Sequence, residues 1–270
     1  MEPVSLSPEE VCYAKHMAKR LVVANWKMYQ ESPEKAKTFV QKLCRRSREF
    51  SGVDVVIAPS FTLLPTVAAL CKGSSVRAMG QSLSRCADAP RTGEVSARML
   101  ALAGAAGVIV GHSERRAMGE NDEAIAQQLA HADEAKLRMV LCVGETERNP
   151  SGSHVEFVAE QLRTALAAKP TASRLVVAYE PVWAIGKSAA EAMQPQDLEE
   201  MVIYIRKILA ELIGRAAALR VPVLYGGSVE GSNAAELIEH GGVSGFLVGH
   251  ASADIDSFLE ILRATRQASR

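Results

Sequence analysis

The run Leu175-Val176-Val177-Ala178-Tyr179-Glu180-Pro181-Val182-Trp183-Ala184-Ile185-Gly186-Lys187 carries an apolar strand up to a single carboxylate, Glu180. Pro181 follows at once and ends the strand by removing a ladder donor. Trp183, Ile185 and Gly186 then form an apolar loop, in which glycine supplies backbone freedom at the far end. A carboxylate at a strand tip beneath an apolar lid is placed for general-base work, because exclusion of water raises its basicity. The same pattern fits a carboxylate capping the following helix, so this stretch alone leaves two readings open.

The flanking sequence repeats the strand signal. Short apolar or β-branched runs occur at residues 21–24, 53–58, 76–79, 108–110, 139–143, 175–178, 221–224 and 246–248. Between them lie amphipathic segments such as 33–49, 121–136, 154–168, 195–212 and 233–240. Buried strands separated by helices, eight times over, spell a single-domain α/β fold, the (β/α)8 TIM barrel. Periodicity alone also permits an open doubly wound sheet. No proline- or serine-rich linker divides the chain, so residues 21–270 read as one catalytic domain. Residues 1–20 read as a short helical extension, with Ser7 as cap and Pro8-Glu9-Glu10 in the first turn, serving as a packing or oligomer arm. Residues 82–93 are polar and unlike a helix, which predicts a long functional barrel loop.

Composition removes several function classes. Lys+Arg and Asp+Glu both total 31, so nothing resembles an electrostatic footprint for nucleic acid or an anionic membrane. A local positive cluster for a phosphorylated substrate is still permitted. The cysteines Cys12, Cys44, Cys71, Cys86 and Cys142 include no CxxC pair and no metal-like spacing, which predicts free thiols in a reducing cytosol and no metal site. The acidic, proline-containing start is unlike a secretory signal, and no apolar run is long enough to span a membrane. A soluble cytoplasmic protein is expected.

In a barrel, catalytic groups gather where strands end. The unusual polar residues of this chain sit there: Asn25-Trp26-Lys27 after the first strand, Gly111-His112-Ser113-Glu114 after the fourth and Glu180 after the sixth. Tyr225-Gly226-Gly227-Ser228 follows the seventh, and Gly249-His250-Ala251-Ser252 the eighth. Alternation along the strand points Asn25 and Lys27 the same way. Each piece has an ordinary explanation: a solvated lysine, a structural histidine, Ser113 and Glu114 opening a helical turn, glycines in turns. What those explanations leave out is the coincidence of a base, an imidazole and an amine at three strand ends of one face. Glycine-rich turns after the last two strands add the usual barrel phosphate site. The remaining histidines, His16, His131, His154 and His240, read as surface or structural, and the basic run 42–48 as a solvated helix face.

At this point the chain resembles the triosephosphate isomerase family. The likeness rests on ANWKM at 24–28, TGEVS at 92–96, GHSERR at 111–116, LCVGE at 141–145, AYEPVWAIG at 178–186 and YGGSV at 225–229. It implies interconversion of dihydroxyacetone phosphate and glyceraldehyde 3-phosphate without a metal or organic cofactor. Glu180 would move a proton between neighbouring carbons, and a neutral His112 would move protons between the two oxygens, a tuning for which this family is itself the type example. The resemblance makes a helix N-terminus the source of that neutrality. Lys27 would stabilise the oxyanion and the phosphate. Asn25 would orient the oxygen, and Glu114, beside Ser113, would hold Lys27. Backbone N–H groups at Gly186, Ser228, Gly249 and His250 would hold the phosphate. Closure of the lid over 181–190, with Pro181, Trp183 and Ile185 in its first half, would exclude water. Family members are usually homodimers, which gives loop 81–93, with Thr92 near its tip, the role of entering the partner's pocket.

Three departures stand out. After Gly186 the family usually continues Thr-Gly-Lys, whereas here Lys187-Ser188-Ala189-Ala190-Glu191-Ala192-Met193 rebuilds the second hinge of the lid. His250 stands where the family has the second glycine of a pair, and its side chain is expected to turn outward. Ala89-Pro90-Arg91 replaces a small-small-aromatic run before Thr92. The altered lid and His250 motivate a rival, an isomerase of a longer sugar phosphate such as a tetrulose phosphate. A non-catalytic barrel scaffold predicts decay of Lys27, His112 or Glu180, and all three are present.

Overall fold

Alternate residues of the apolar runs pack against different partners. Leu21, Val23, Val56, Ala58, Met79, Ile109, Val140, Cys142, Val176, Ala178, Leu224 and Leu247 form one buried cluster, drawn from all eight runs. Their neighbours Val22, Ala24, Val55, Ile57, Val108, Val110, Leu141 and Val177 join a second, larger cluster with residues of the helices. A sheet buried on both faces is what continuous apolar runs produce, and the first cluster is the inside of a barrel.

The computed structural model describes residues 20–86, 90–149, 152–186 and 193–268. The parallel strands are β1 (Arg20–Asn25), β2 (Val53–Ala58), β3 (Val76–Ala78), β4 (Gly107–Val110), β5 (Arg138–Val143), β6 (Leu175–Tyr179), β7 (Val223–Tyr225) and β8 (Gly245–Val248). They pair in the order β3-β2-β1-β8-β7-β6-β5-β4. A parallel bridge between Gly80 and Val108 joins the two ends, with the Gly80 N–H donating to Gly107 O at 2.9 Å. That bridge closes the ring and decides against the open sheet. Close approach of β8 to β1 demands glycine at 245, where an added Cβ would lie 1.9 Å from Leu21 O.

The helices among the described residues are α1 (Pro33–Arg45), α2 (Leu64–Cys71), α3 (Ala97–Leu102), α4 (Ser113–Ala117), α5 (Asp122–Glu134), α6 (Ser153–Ala165), α7 (Pro195–Ile213), α8 (Arg215–Ala218), α9 (Ala234–His240) and α10 (Ile255–Gln267). Helix α1 shows why they form. Ser32 caps it by accepting from the Lys35 N–H, Pro33 opens the first turn, and Ala36, Phe39, Val40 and Leu43 make the buried stripe. It stops at Arg45, short of the expected 49, because residues Ser47–Phe50 tighten into a 3-10 turn. Glu49 holds that turn by pairing with Arg46 at 2.6 Å and Arg263 at 2.7 Å, so the basic run is only partly a solvated face. Strand β7 starts at Val223, two residues late, because Pro222 has no ladder donor. No helix of the described residues is long and apolar enough to cross a membrane. The expected N-terminal helix at Ser7, Cys12 and His16, together with Ala89 and lid residues 187–192, lies outside the described residues.

Candidate active site

Strand parity aims the site. Val176 and Ala178 face the barrel interior, so Glu180, two residues on, does too, and Leu21 and Val23 carry Asn25 inward in the same way. Parity would send His112 outward, since Val108 and Val110 belong to the outer cluster. Gly111 reverses it. Its φ of 71° is left-handed, and this turn brings His112 back over the barrel mouth.

His112 caps α4, its Nδ1 accepting from the Glu114 N–H at 3.2 Å. An Nδ1 that accepts assigns the proton to Nε2, the neutral tautomer. Nε2 lies 3.2 Å from Glu180 Oε1, and Glu180 Oε2 accepts from the Ser113 N–H at 3.1 Å. The carboxylate therefore rests against the start of α4, a helix that follows β4, rather than capping the next helix in the chain. Glu180 is 3% exposed and His112 6%, so both work in a water-poor setting. Lys27 has a left-handed φ of 45°, and its Nζ meets Glu114 Oε1 at 2.7 Å. A non-glycine residue held there is a strained backbone, tied down here by Asn25 Oδ1 accepting from Lys27 N–H at 3.2 Å and by Gln81 Nε2 donating to Lys27 O at 3.0 Å.

Asn25, Lys27, His112, Glu180, Ile185, Gly186, Ser228, Gly249 and His250 line one cavity of about 320 Å³. Ser113 and Glu114 stand behind its wall and hold its members, as the contacts above show. Pro181 and Trp183 lie in the first half of the lid, outside that lining, and Thr92 is exposed on the loop after β3. The His250 side chain is exposed. Its ring stands edge-on to Tyr29, centroids 5.3 Å apart, and the two residues are both part of the cavity lining. The side chain is thus solvent-exposed and rests on the aromatic face that Tyr29 offers at that point.

Several residues of the site went unread in the sequence. Gly226 faces Glu180, and an added Cβ there would sit 2.7 Å from Glu180 Cγ. Gly144 is tighter still, with an added Cβ 1.9 Å from Glu180 O. Cys142 packs beneath Glu180; burial, then the neighbouring carboxylate, pushes its thiol well up, so it stays protonated. Glu145, 2% exposed, accepts from Tyr179 OH at 2.9 Å and from Trp183 Nε1 at 2.9 Å, and the Arg148 guanidinium lies 5.3 Å over the Trp183 ring. Burial and the Glu145 charge raise the Tyr179 phenol, keeping it a donor. Trp183 was read as part of the lid, but the sequence signal for Glu145 was the LCVGE string, which carried no role. Among the described residues no group of three His, Cys, Asp or Glu side chains is placed to hold a metal ion.

A family model described as Triosephosphate isomerase matches residues 20–265. The chain belongs to the triosephosphate isomerase family. The triosephosphate isomerase of Carboxydothermus hydrogenoformans is 40% identical over 253 residues, covering 92% of this chain and 100% of that protein. That of Thermus thermophilus is 40% identical over 251 residues, covering 92% and 99%. The triosephosphate isomerase of Symbiobacterium thermophilum is 39% identical over 253 residues, covering 92% and 97%. The barrel is thus that of an isomerase family, and its polar strand ends converge on the one cavity just described. The described half of the lid touches the far wall through Ser228 Oγ, which donates to Ala184 O at 3.0 Å.

Proposed function

We propose that this member of the triosephosphate isomerase family interconverts dihydroxyacetone phosphate and D-glyceraldehyde 3-phosphate through an enediolate. The observation that carries the reading is the facing pair of Glu180 and neutral His112, 3.2 Å apart, at the end of a cavity that also holds Lys27. Glu180 leaves its contacts with Ser113 and His112, removes a proton from the carbon beside the carbonyl, and returns it to the neighbouring carbon. The His112 Nε2 proton passes to the carbonyl oxygen as negative charge builds there, and the imidazole recovers a proton from the adjacent hydroxyl. Lys27 supplies fixed positive charge to the oxyanion and to the phosphate, and Asn25 orients the oxygen. Backbone N–H groups of Gly186, Ser228, Gly249 and His250 take the phosphate. No step calls for a metal or an organic cofactor.

The barrel is the catalytic unit in this reading, and the segment before β1 an appended arm. A homodimer built on loop 81–93 and Thr92 belongs to the same proposal. Exposed apolar side chains Met28, Phe61 and Met99, in segments that follow β1, β2 and β3, support it.

A coupled assay with glyceraldehyde 3-phosphate, run beside a four-carbon ketose phosphate, tests the substrate. Preference for the triose is expected, and preference for the tetrulose phosphate would replace it. Glu180→Asp should retain inorganic phosphate binding while turnover drops by about a hundredfold or more, since the carboxylate is drawn back from the reacting carbon. An unchanged turnover number would remove Glu180 from the base role.

A further inference from the structure

Helix α6 carries an amide on its buried face. Gln161 is 3% exposed and lies among Val158, Ala159, Leu162 and Ala165, which join the hydrophobic core. Burying an amide is costly unless its polar ends are paired. Here both ends go to one residue. Gln161 Oε1 accepts from the Gly144 N–H at 2.8 Å, and its Nε2 donates to Gly144 O at a longer 3.4 Å. Gly144 is the first residue beyond β5, and its two neighbours hold the segment that bears Glu180. The Glu180 N–H donates to Val143 O at 2.8 Å, and the Val182 N–H to Glu145 O at 2.9 Å. Between those two bonds the Gly144 and Glu180 backbones touch, since an added Cβ at 144 would lie 1.9 Å from Glu180 O. A shift of Gly144 is therefore passed directly to Glu180. Gly144, Gln161, Glu180 and Val182 also line a second cavity, of about 540 Å³, so close packing does not brace the segment on that side.

We propose that Gln161 is a positioning residue for the isomerase reaction, a role that rests on Glu180 being the base. Gln161 clamps Gly144, and through Gly144 it sets the backbone of Glu180 and the start of the lid at Val182. It stands outside the lining of the catalytic cavity, so it acts only through the residues it holds. An amide suits the task because it donates and accepts at once without bringing a charge up to Glu180. The precision matters because a base displaced by a fraction of an ångström from the reacting carbon loses much of its rate advantage.

Gln161→Met tests the clamp, since it keeps the length of the side chain and removes both bonds. In the folded variant kcat should fall about tenfold or more, with KM and inhibition by inorganic phosphate within about twofold of the wild type. Amide hydrogen exchange should quicken at Glu180 and Val182 and stay unchanged at Val22 and Val23 of β1. Gln161→Glu supplies a second series. Its carboxyl donates and accepts together only when protonated, so kcat relative to wild type at the same pH should fall as pH is raised and recover as it is lowered. A folded Gln161→Met variant with wild-type kcat, or one whose kcat, KM and phosphate inhibition all worsen together, would overturn the positioning role. So would a Gln161→Glu ratio that stays flat with pH, and that series decides alone if Gln161→Met does not fold. The two proposals fail separately. A wild type that does not turn over the triose defeats the isomerisation reading, whereas an active wild type with unchanged exchange at Glu180 and Val182 in Gln161→Met defeats only the clamp.

Discussion

Glu180 has room to move because residue 226 carries no side chain. A Cβ at 226 would press on Glu180 Cγ from 2.7 Å, and the carboxylate is the part that has to yield. Gly226→Ala should therefore keep the fold but displace the base, lowering kcat by about a hundredfold while KM changes little. Thermal unfolding beside steady-state kinetics checks it; full activity in a folded variant would show that Glu180 has slack on that side. The alternation read for Asn25 and Lys27 carries Asn25 inward at the end of β1, but it breaks at Lys27, whose φ of 45° is left-handed. His112 was legible as a strand-end imidazole, yet its inward aim depends on the left-handed Gly111, which parity does not encode. The contact that His250 makes was illegible for a related reason. Whether its ring turns out or leans on Tyr29 depends on a contact between segments 221 residues apart, the rim partners differing in number from 29 to 250.

The first half of the lid is a short 3-10 turn, Val182–Ala184, and its footing is Glu145. The Val182 N–H donates to Glu145 O at 2.9 Å, while the Glu145 carboxylate receives both Trp183 Nε1 and Tyr179 OH. Truncating that acceptor strands a buried phenol and an indole N–H and leaves Arg148 without its partner at 3.3 Å. Glu145→Ala should cost about 3 kcal/mol of stability, read from urea unfolding, and should weaken substrate retention by loosening the lid. A loss within the range of an ordinary surface substitution would mean that the cluster is solvated in solution. Long elements such as α1 and α7 were readable because their apolar stripes recur over several turns. Short α3 was not, since one and a half turns leave no period to detect, and α4 was readable only as a turn opened by Ser113 and Glu114; capping by Ser96 and His112 makes them.

Closure of the barrel buries every strand, and several large apolar side chains of the described residues stay exposed. Met28, 83% exposed, sits directly beside Lys27, and Phe61 and Met99 follow the two strands next in the ring. Met118 and Phe157 are exposed in segments that follow β4 and β5, so Met28, Phe61 and Met99 support the proposed homodimer only together with the loop that carries Thr92. The strand and helix alternation revealed the ring, whereas the proposed pairing came only from the family resemblance, since exposure is a property of the folded chain. If two copies meet there, each Met28 is buried at the interface and steadies the strained Lys27 backbone behind it. Light scattering should then give about twice the chain mass for the wild type, and Met28→Glu should shift it to that of one chain by forcing a charge into an apolar contact. Turnover should fall with the shift, and raising protein concentration should restore part of both. A wild-type protein that runs as a single chain at full activity would assign the exposed methionine to solvent and the Lys27 geometry to Asn25, Gln81 and Glu114 alone.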